Sequence, residues 1–132
     1  MGSRGNIVVV QHSEQEADGE VYLYTHWGGE GLPLYVQSTL ARRERWDDES
    51  YLARMLFCSL LGPDELGEDT GLGISTYLGD NEYPLLKVDT ALATVSMVDP
   101  DGDYPTRTWS FEQFVALQLE PDNPWSGLGY SP

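Results

Sequence analysis

Apolar residues recur along this chain with two different periods, and the changes of period divide it into strands and helices. Ile7 to Gln11 is a short β-branched run. Val21 to Trp27 alternates, with Val21, Leu23 and Thr25 on one face and Tyr22, Tyr24 and His26 on the other. The polar stretch between them, His12 to Glu20 with an Asp18-Gly19 turn signal, predicts an antiparallel hairpin with a long loop. Gly28-Gly29 ends the second strand. Pro33 suits the first turn of a helix running to about Arg45, with Leu32, Val36 and Leu40 along one side. Asp47 or Asp48 caps a second helix that runs to Leu61. Its apolar stripe is Leu52, Met55, Leu56 and Leu60, widened by Tyr51 and Phe57, and Gly62-Pro63 stops it.

Asp64 to Thr70 reads as an acidic loop. Three strands are expected after it, over Leu72–Leu78, Leu85–Asp89 and Leu92–Val98. Asp99-Pro100-Asp101-Gly102 is a tight turn, and Thr106 to Trp109 the return strand. Ser110-Phe111-Glu112-Gln113 has the form of a capping box opening a short helix to about Leu119. The order predicts one α+β domain over residues 1–132: a mainly antiparallel sheet with two central helices and a short C-terminal helix packed on one face. Residues 121–132, with three prolines and two glycines, are expected as an extended tail pinned by Trp125 and Tyr130.

Charge changes this picture most. Twenty-two Asp and Glu stand against seven basic residues, giving a formal charge of −15 on 132 residues. Such a field repels nucleic-acid phosphates and anionic lipid, and it attracts basic surfaces and cations. The same imbalance also serves solubility in a salty cytoplasm. A hydrophobic content of 40 %, with four Trp and eight Tyr, is that of a globular domain. One cysteine excludes an internal disulfide and a multi-cysteine metal site, and Cys58 in its apolar run is expected as a packed thiol. With no stretch long enough to span a bilayer and no signal-peptide pattern, the chain reads as soluble and cytoplasmic.

Candidate chemistry is sparse. Asp99-Pro100-Asp101-Gly102-Asp103 resembles the start of an EF-hand loop, but Tyr104 stands at the glycine position and Ser110 at the closing glutamate. Asp80, Glu82 and Asp89 offer weak ligands to a hard cation, and His12 and His26 are expected to face each other across the first hairpin. Ser75 sits inside a strand and makes no nucleophile elbow. No catalytic residue, metal site or cofactor is therefore assigned. Arg42, Arg43 and Arg45 with Trp46 form the one basic island, able to grip a phosphate or carboxylate, although arginines finishing a helix and pairing with Asp47, Asp48 and Glu49 explain it as well. Tyr22, Tyr24, His26 and Trp27 are the first candidate binding surface, since helices on one sheet face would leave their face open. Asp80, Asn81 and Glu82 in the loop before Tyr83-Pro84 are the second.

The segments Val21-Tyr22-Leu23-Tyr24-Thr25-His26-Trp27-Gly28-Gly29 and Gly73-Ile74-Ser75-Thr76-Tyr77-Leu78-Gly79-Asp80-Asn81-Glu82-Tyr83-Pro84 resemble a set of small prokaryotic and phage hypothetical proteins. Arg45-Trp46-Asp47-Asp48, Tyr51-Leu52-Ala53-Arg54 and Trp109-Ser110-Phe111-Glu112-Gln113-Phe114 fit the same set, so the likeness covers about residues 5 to 118. The resemblance implies a single soluble domain in a phage or mobile-element context and carries over no functional residue. Taken together, these readings lead to a non-catalytic protein that binds a host factor, either through an acidic DNA-mimicking surface that blocks a defence or nucleic-acid-binding protein, or by holding a small signalling ligand. The partner is then a basic protein surface or a small molecule, with no direct nucleic-acid or membrane binding. The alternatives are a small hydrolase or transferase using carboxylates and His26, and a structural homo-oligomer such as a homodimer.

Overall fold

A computed structural model describes residues 3–12, 19–62 and 71–131. Six strands form one sheet: β1 (Gly5–Gln11), β2 (Gly19–Thr25), β3 (Leu72–Ser75), β4 (Leu85–Asp89), β5 (Thr94–Val98) and β6 (Arg107–Ser110), in the spatial order β3-β2-β1-β4-β5-β6. Every neighbouring pair is antiparallel except β1 and β4. Helices α1 (Leu32–Ala41) and α2 (Glu49–Leu61) are inserted between β2 and β3, and α3 (Phe111–Val115) follows β6 directly. The α+β class, the mainly antiparallel sheet, the two central helices and the short third helix are as the apolar periods predict.

Alternation along the strands decides the two faces of the sheet. Ile7, Val9, Leu23, Leu86, Val88, Val95 and Met97 point to one side and are buried against Leu32, Val36 and Leu40 of α1, Leu52 and Leu56 of α2, and Phe111 and Phe114 of α3. The opposite face carries Tyr22, Tyr24, Val8 and Lys87. There the Lys87 ammonium reaches across β1 to Glu20 (2.7 Å), and Val8, between its register neighbours Tyr22 and Lys87, is fully buried without any helix above it among the described residues.

Several boundaries depart from expectation for identifiable reasons. The first helix stops at Ala41 rather than Arg45, because Arg43 and Arg45 adopt positive φ (55° and 56°), outside the helical region. The Trp46 indole then donates to the Leu40 carbonyl (3.0 Å) and packs edge-on to Phe111. Asp48 caps α2 by accepting from the Tyr51 N–H, and Gly62 ends it; Pro63 and the acidic loop at 64–70 lie outside the described residues. The strand expected over Leu72–Leu78 ends at Ser75, whose hydroxyl donates to the Tyr77 carbonyl (2.7 Å) and turns the chain. The capping box at Ser110 and Gln113 forms, but its helix ends at Val115.

The tail is pinned by Trp125 and Tyr130 as expected, but it is not extended throughout. Pro124–Leu128 winds into a 3-10 helix, and Trp125 and Leu128 belong to the core. Trp125 stacks on Tyr83 (centroids 5.5 Å apart, planes 14° apart) and donates its indole N–H to the Gly29 carbonyl (2.9 Å). A Cβ at Gly29 would stand 2.6 Å from the Ser3 carbonyl oxygen and 2.7 Å from the Tyr83 ring, so this close approach requires glycine.

Candidate functional site

Strand β2 runs out at Thr25, and the residues after it are held by the chain on both sides. The His26 N–H donates to the Gly71 carbonyl and the Ser3 N–H to the His26 carbonyl, both at 2.7 Å. His26 Nδ1 lies 3.0 Å from the Tyr24 hydroxyl, and its ring meets Trp27 edge-on at 4.9 Å. Trp27 itself is 53 % exposed and lies over Gly71, where a side chain would collide with its ring.

The loop before β4 is fastened to the same end of the sheet. Arg4 and Glu82 exchange backbone bonds with each other's side chain and main chain: the Arg4 N–H donates to Glu82 Oε1 (3.0 Å), the Glu82 N–H to the Arg4 carbonyl (2.8 Å), and Arg4 Nε to the same carboxylate (2.9 Å). These two donors, the backbone first, hold the Glu82 carboxyl below the usual carboxylate range. Asp80 lies 3.7 Å from the Arg4 guanidinium with its side chain 69 % exposed. Asn6 is the buried anchor: its amide donates to the Asp80 carbonyl (3.0 Å) and to Asn81 Oδ1 (3.1 Å), while the Asn81 amide donates to the Tyr83 carbonyl (2.6 Å).

One member of each candidate group, Tyr24 and Asp80, more than fifty residues apart in sequence, thus comes to face the same cleft. The cleft, of about 230 Å³, is lined by Asn6, Tyr24, Gly73, Ser75, Tyr77 and Asp80. Burial, and after it the Asp80 charge, raises the Tyr24 phenol above its ordinary range. The rim is apolar: Tyr77 and Leu78 are exposed, Tyr77 by 70 %. Tyr22 stands apart, donating to Glu20 (2.9 Å) beside the Lys87 pair.

Other expectations do not converge. His12 and His26 sit at opposite ends of the hairpin, about 20 Å apart for a strand of this length, because Gln11 pairs with Gly19 and Gly5 with Thr25. Asp89 is at the His12 end, 3.0 Å from its Nε2, so it never joins Asp80 and Glu82, whose neighbour is Arg4. No group of three potential metal ligands occurs among the described residues. Cys58 is exposed rather than packed, since α2 turns Leu52 and Leu56 inward and leaves Cys58 facing out, 3.7 Å from the Arg54 guanidinium.

The basic island is dispersed as well. Arg42 pairs with Glu44 (2.9 Å), Arg43 with Glu112, and Arg45 lies over the Tyr51 ring at 4.1 Å. Trp46 is turned into the packing against Phe111. A second cleft of about 260 Å³ between α1 and α2 contains Arg42 and Arg54, but Arg42 is already neutralised there by Glu44. Sequence reasoning passed over Arg4, Asn6, Gly73 and Tyr77. An Asn directly before a β-branched run was the signal available, whereas the pairing of Gly73 with Tyr24 is seen only in the structure. Set against protein-family models, curated proteins and solved structures, the chain matches none.

Proposed function

We propose that this protein is a non-catalytic binding protein whose recognition surface is the β2–β3 end of the sheet and whose partner is a basic surface of another protein. The observation that carries this is the convergence of Tyr24, His26 and the exposed Trp27 and Tyr77 with the Asp80–Glu82 loop into one held arrangement. Rigid aromatics beside carboxylates suit the anchoring of a cationic partner.

The disposition of the cations supports the same reading. Arg4, Arg42, Arg43 and Lys87 are in ion pairs, Arg45 and Arg54 lie over Tyr51, and Arg107 donates to the Leu128 carbonyl and lies over Trp109. All seven are engaged within the molecule, so a partner meets a field of carboxylates. In the cytoplasm, and in the phage or mobile-element setting that the sequence resemblance favours, the partner is a nucleic-acid-binding or defence protein whose basic groove the acidic surface fills in place of DNA.

The test is affinity capture from a host lysate with the wild-type protein and a Trp27→Ala/Tyr77→Ala variant, repeated at low and high salt. A captured protein with a basic surface, lost in the variant and released by salt, is the expected result. Capture that neither the variant nor salt affects would place recognition elsewhere.

A further inference from the structure

The two edges of the sheet are finished differently. On β6 the Ser110 N–H, at the outer edge, is taken by Gln113 Oε1 of the capping box (2.8 Å), and Arg107 and Trp109 lie together beside it. A cap of this kind protects that end of the edge from further pairing, although the outward backbone groups of Thr108 meet no partner among the described residues. Strand β3 has no such finish among the described residues. The bond from His26 N to the Gly71 carbonyl sets the phase of the antiparallel ladder, so the hydrogen-bonded pairs are Tyr24 with Gly73 and Tyr22 with Ser75. The N–H and C=O groups of Leu72 and Ile74 therefore point away from β2, along the free edge, and meet no partner among the described residues.

The surroundings of this edge select what can pair with it. Gly73 lies on the open face in register with Tyr24, and a Cβ built there meets nothing within 4 Å. A side chain from an added strand can cross Gly73 to reach the Tyr24 ring and the exposed Asp80 carboxylate, and a cation satisfies both. On the other face Ile74, in register with the buried Leu23, is 61 % exposed and offers apolar contact. A second copy of this chain is disfavoured at the same edge by a charge of −15 on each molecule.

We infer that β3 accepts an extended segment of a partner protein as a seventh strand, with basic residues at every second position over Gly73 and apolar residues between them over Ile74. This deepens the binding role proposed above and rests on it, adding the mode of pairing and the pattern of the segment.

Selection of a randomised decapeptide library against the intact protein tests the inference. The expected clones alternate basic and apolar residues and bind an Ile74→Pro variant about tenfold more weakly, since one outward N–H is removed while the ladder to β2 is untouched. Gly73→Thr, which fills the cleft and keeps the edge, is expected to erase the basic preference. Should Ile74→Pro not fold, methylating alternate backbone amides of a selected peptide removes the same bonds from the other side. Clones lacking the basic pattern, clones indifferent to Ile74→Pro and to backbone methylation, or no enrichment at all would overturn strand addition. So would a dimer, seen by sedimentation, that Ile74→Pro dissolves. Clones lost on Trp27→Ala/Tyr77→Ala yet indifferent to Ile74→Pro would leave the recognition surface standing and refute only the added strand.

Discussion

Single side chains decide how the open face of the sheet is closed. Glu20 accepts from the Lys87 ammonium and the Tyr22 hydroxyl, and the first of these is the main reason its carboxyl titrates below the ordinary range. Partial burial works in the opposite direction and is outweighed. A carboxyl whose folded pKa is depressed adds stability above the unfolded pKa and loses it as pH falls through the folded value. The wild-type protein should therefore lose more unfolding free energy than Glu20→Gln between about pH 6 and about pH 3. Urea titrations of both proteins across that interval measure the difference, and parallel curves would show that the pair contributes nothing. Asn6 teaches a related lesson. It reads as the polar lead-in to a β-branched run, yet its amide ties β1 to a loop more than seventy residues away.

At the level of elements, the C-terminal segment shows why local composition misleads. Prolines and glycines after Pro121 suggest an extended tail, yet the segment supplies the largest fully buried side chain of the described residues, Trp125. Its burial is possible because the indole N–H finds the Gly29 carbonyl and the ring finds Tyr83, partners that no window of sequence contains. Replacing Trp125 with Ala is expected to cost about 3–5 kcal/mol. Denaturant unfolding would reveal it, and a loss under about 1 kcal/mol would mean that the tail docks independently of this ring. Elements with strong periodicity or caps were legible: α2 with Asp48, the turn at Gly102 (φ 76°) and the capping box at Ser110. The ends of α1 and β3 were not, because the positive φ of Arg43 and Arg45 and the Ser75 bond to the Tyr77 carbonyl leave no mark on any period.

For the whole molecule, fifteen uncompensated negative charges set the long-range field. Close repulsion among them should relax as salt shortens the screening length from about 30 Å at 0.01 M to about 3 Å at 1 M. The melting temperature should therefore rise with sodium chloride, by about 4 °C for each 1 kcal/mol gained. Calorimetry at fixed pH checks this, and a salt-independent transition would show that the carboxylates lie too far apart to repel. No helix among the described residues is long and apolar enough to cross a membrane. The fold class, the strand-helix order and the charge were determined by the sequence itself, because periodicity, capping and net charge are local or additive properties. Only the tertiary structure could bring Tyr24 beside Asp80, send His12 to the far end, engage every arginine and leave β3 without a capped edge among the described residues. Those outcomes depend on strand order and register, which are settled by packing between segments far apart in the chain.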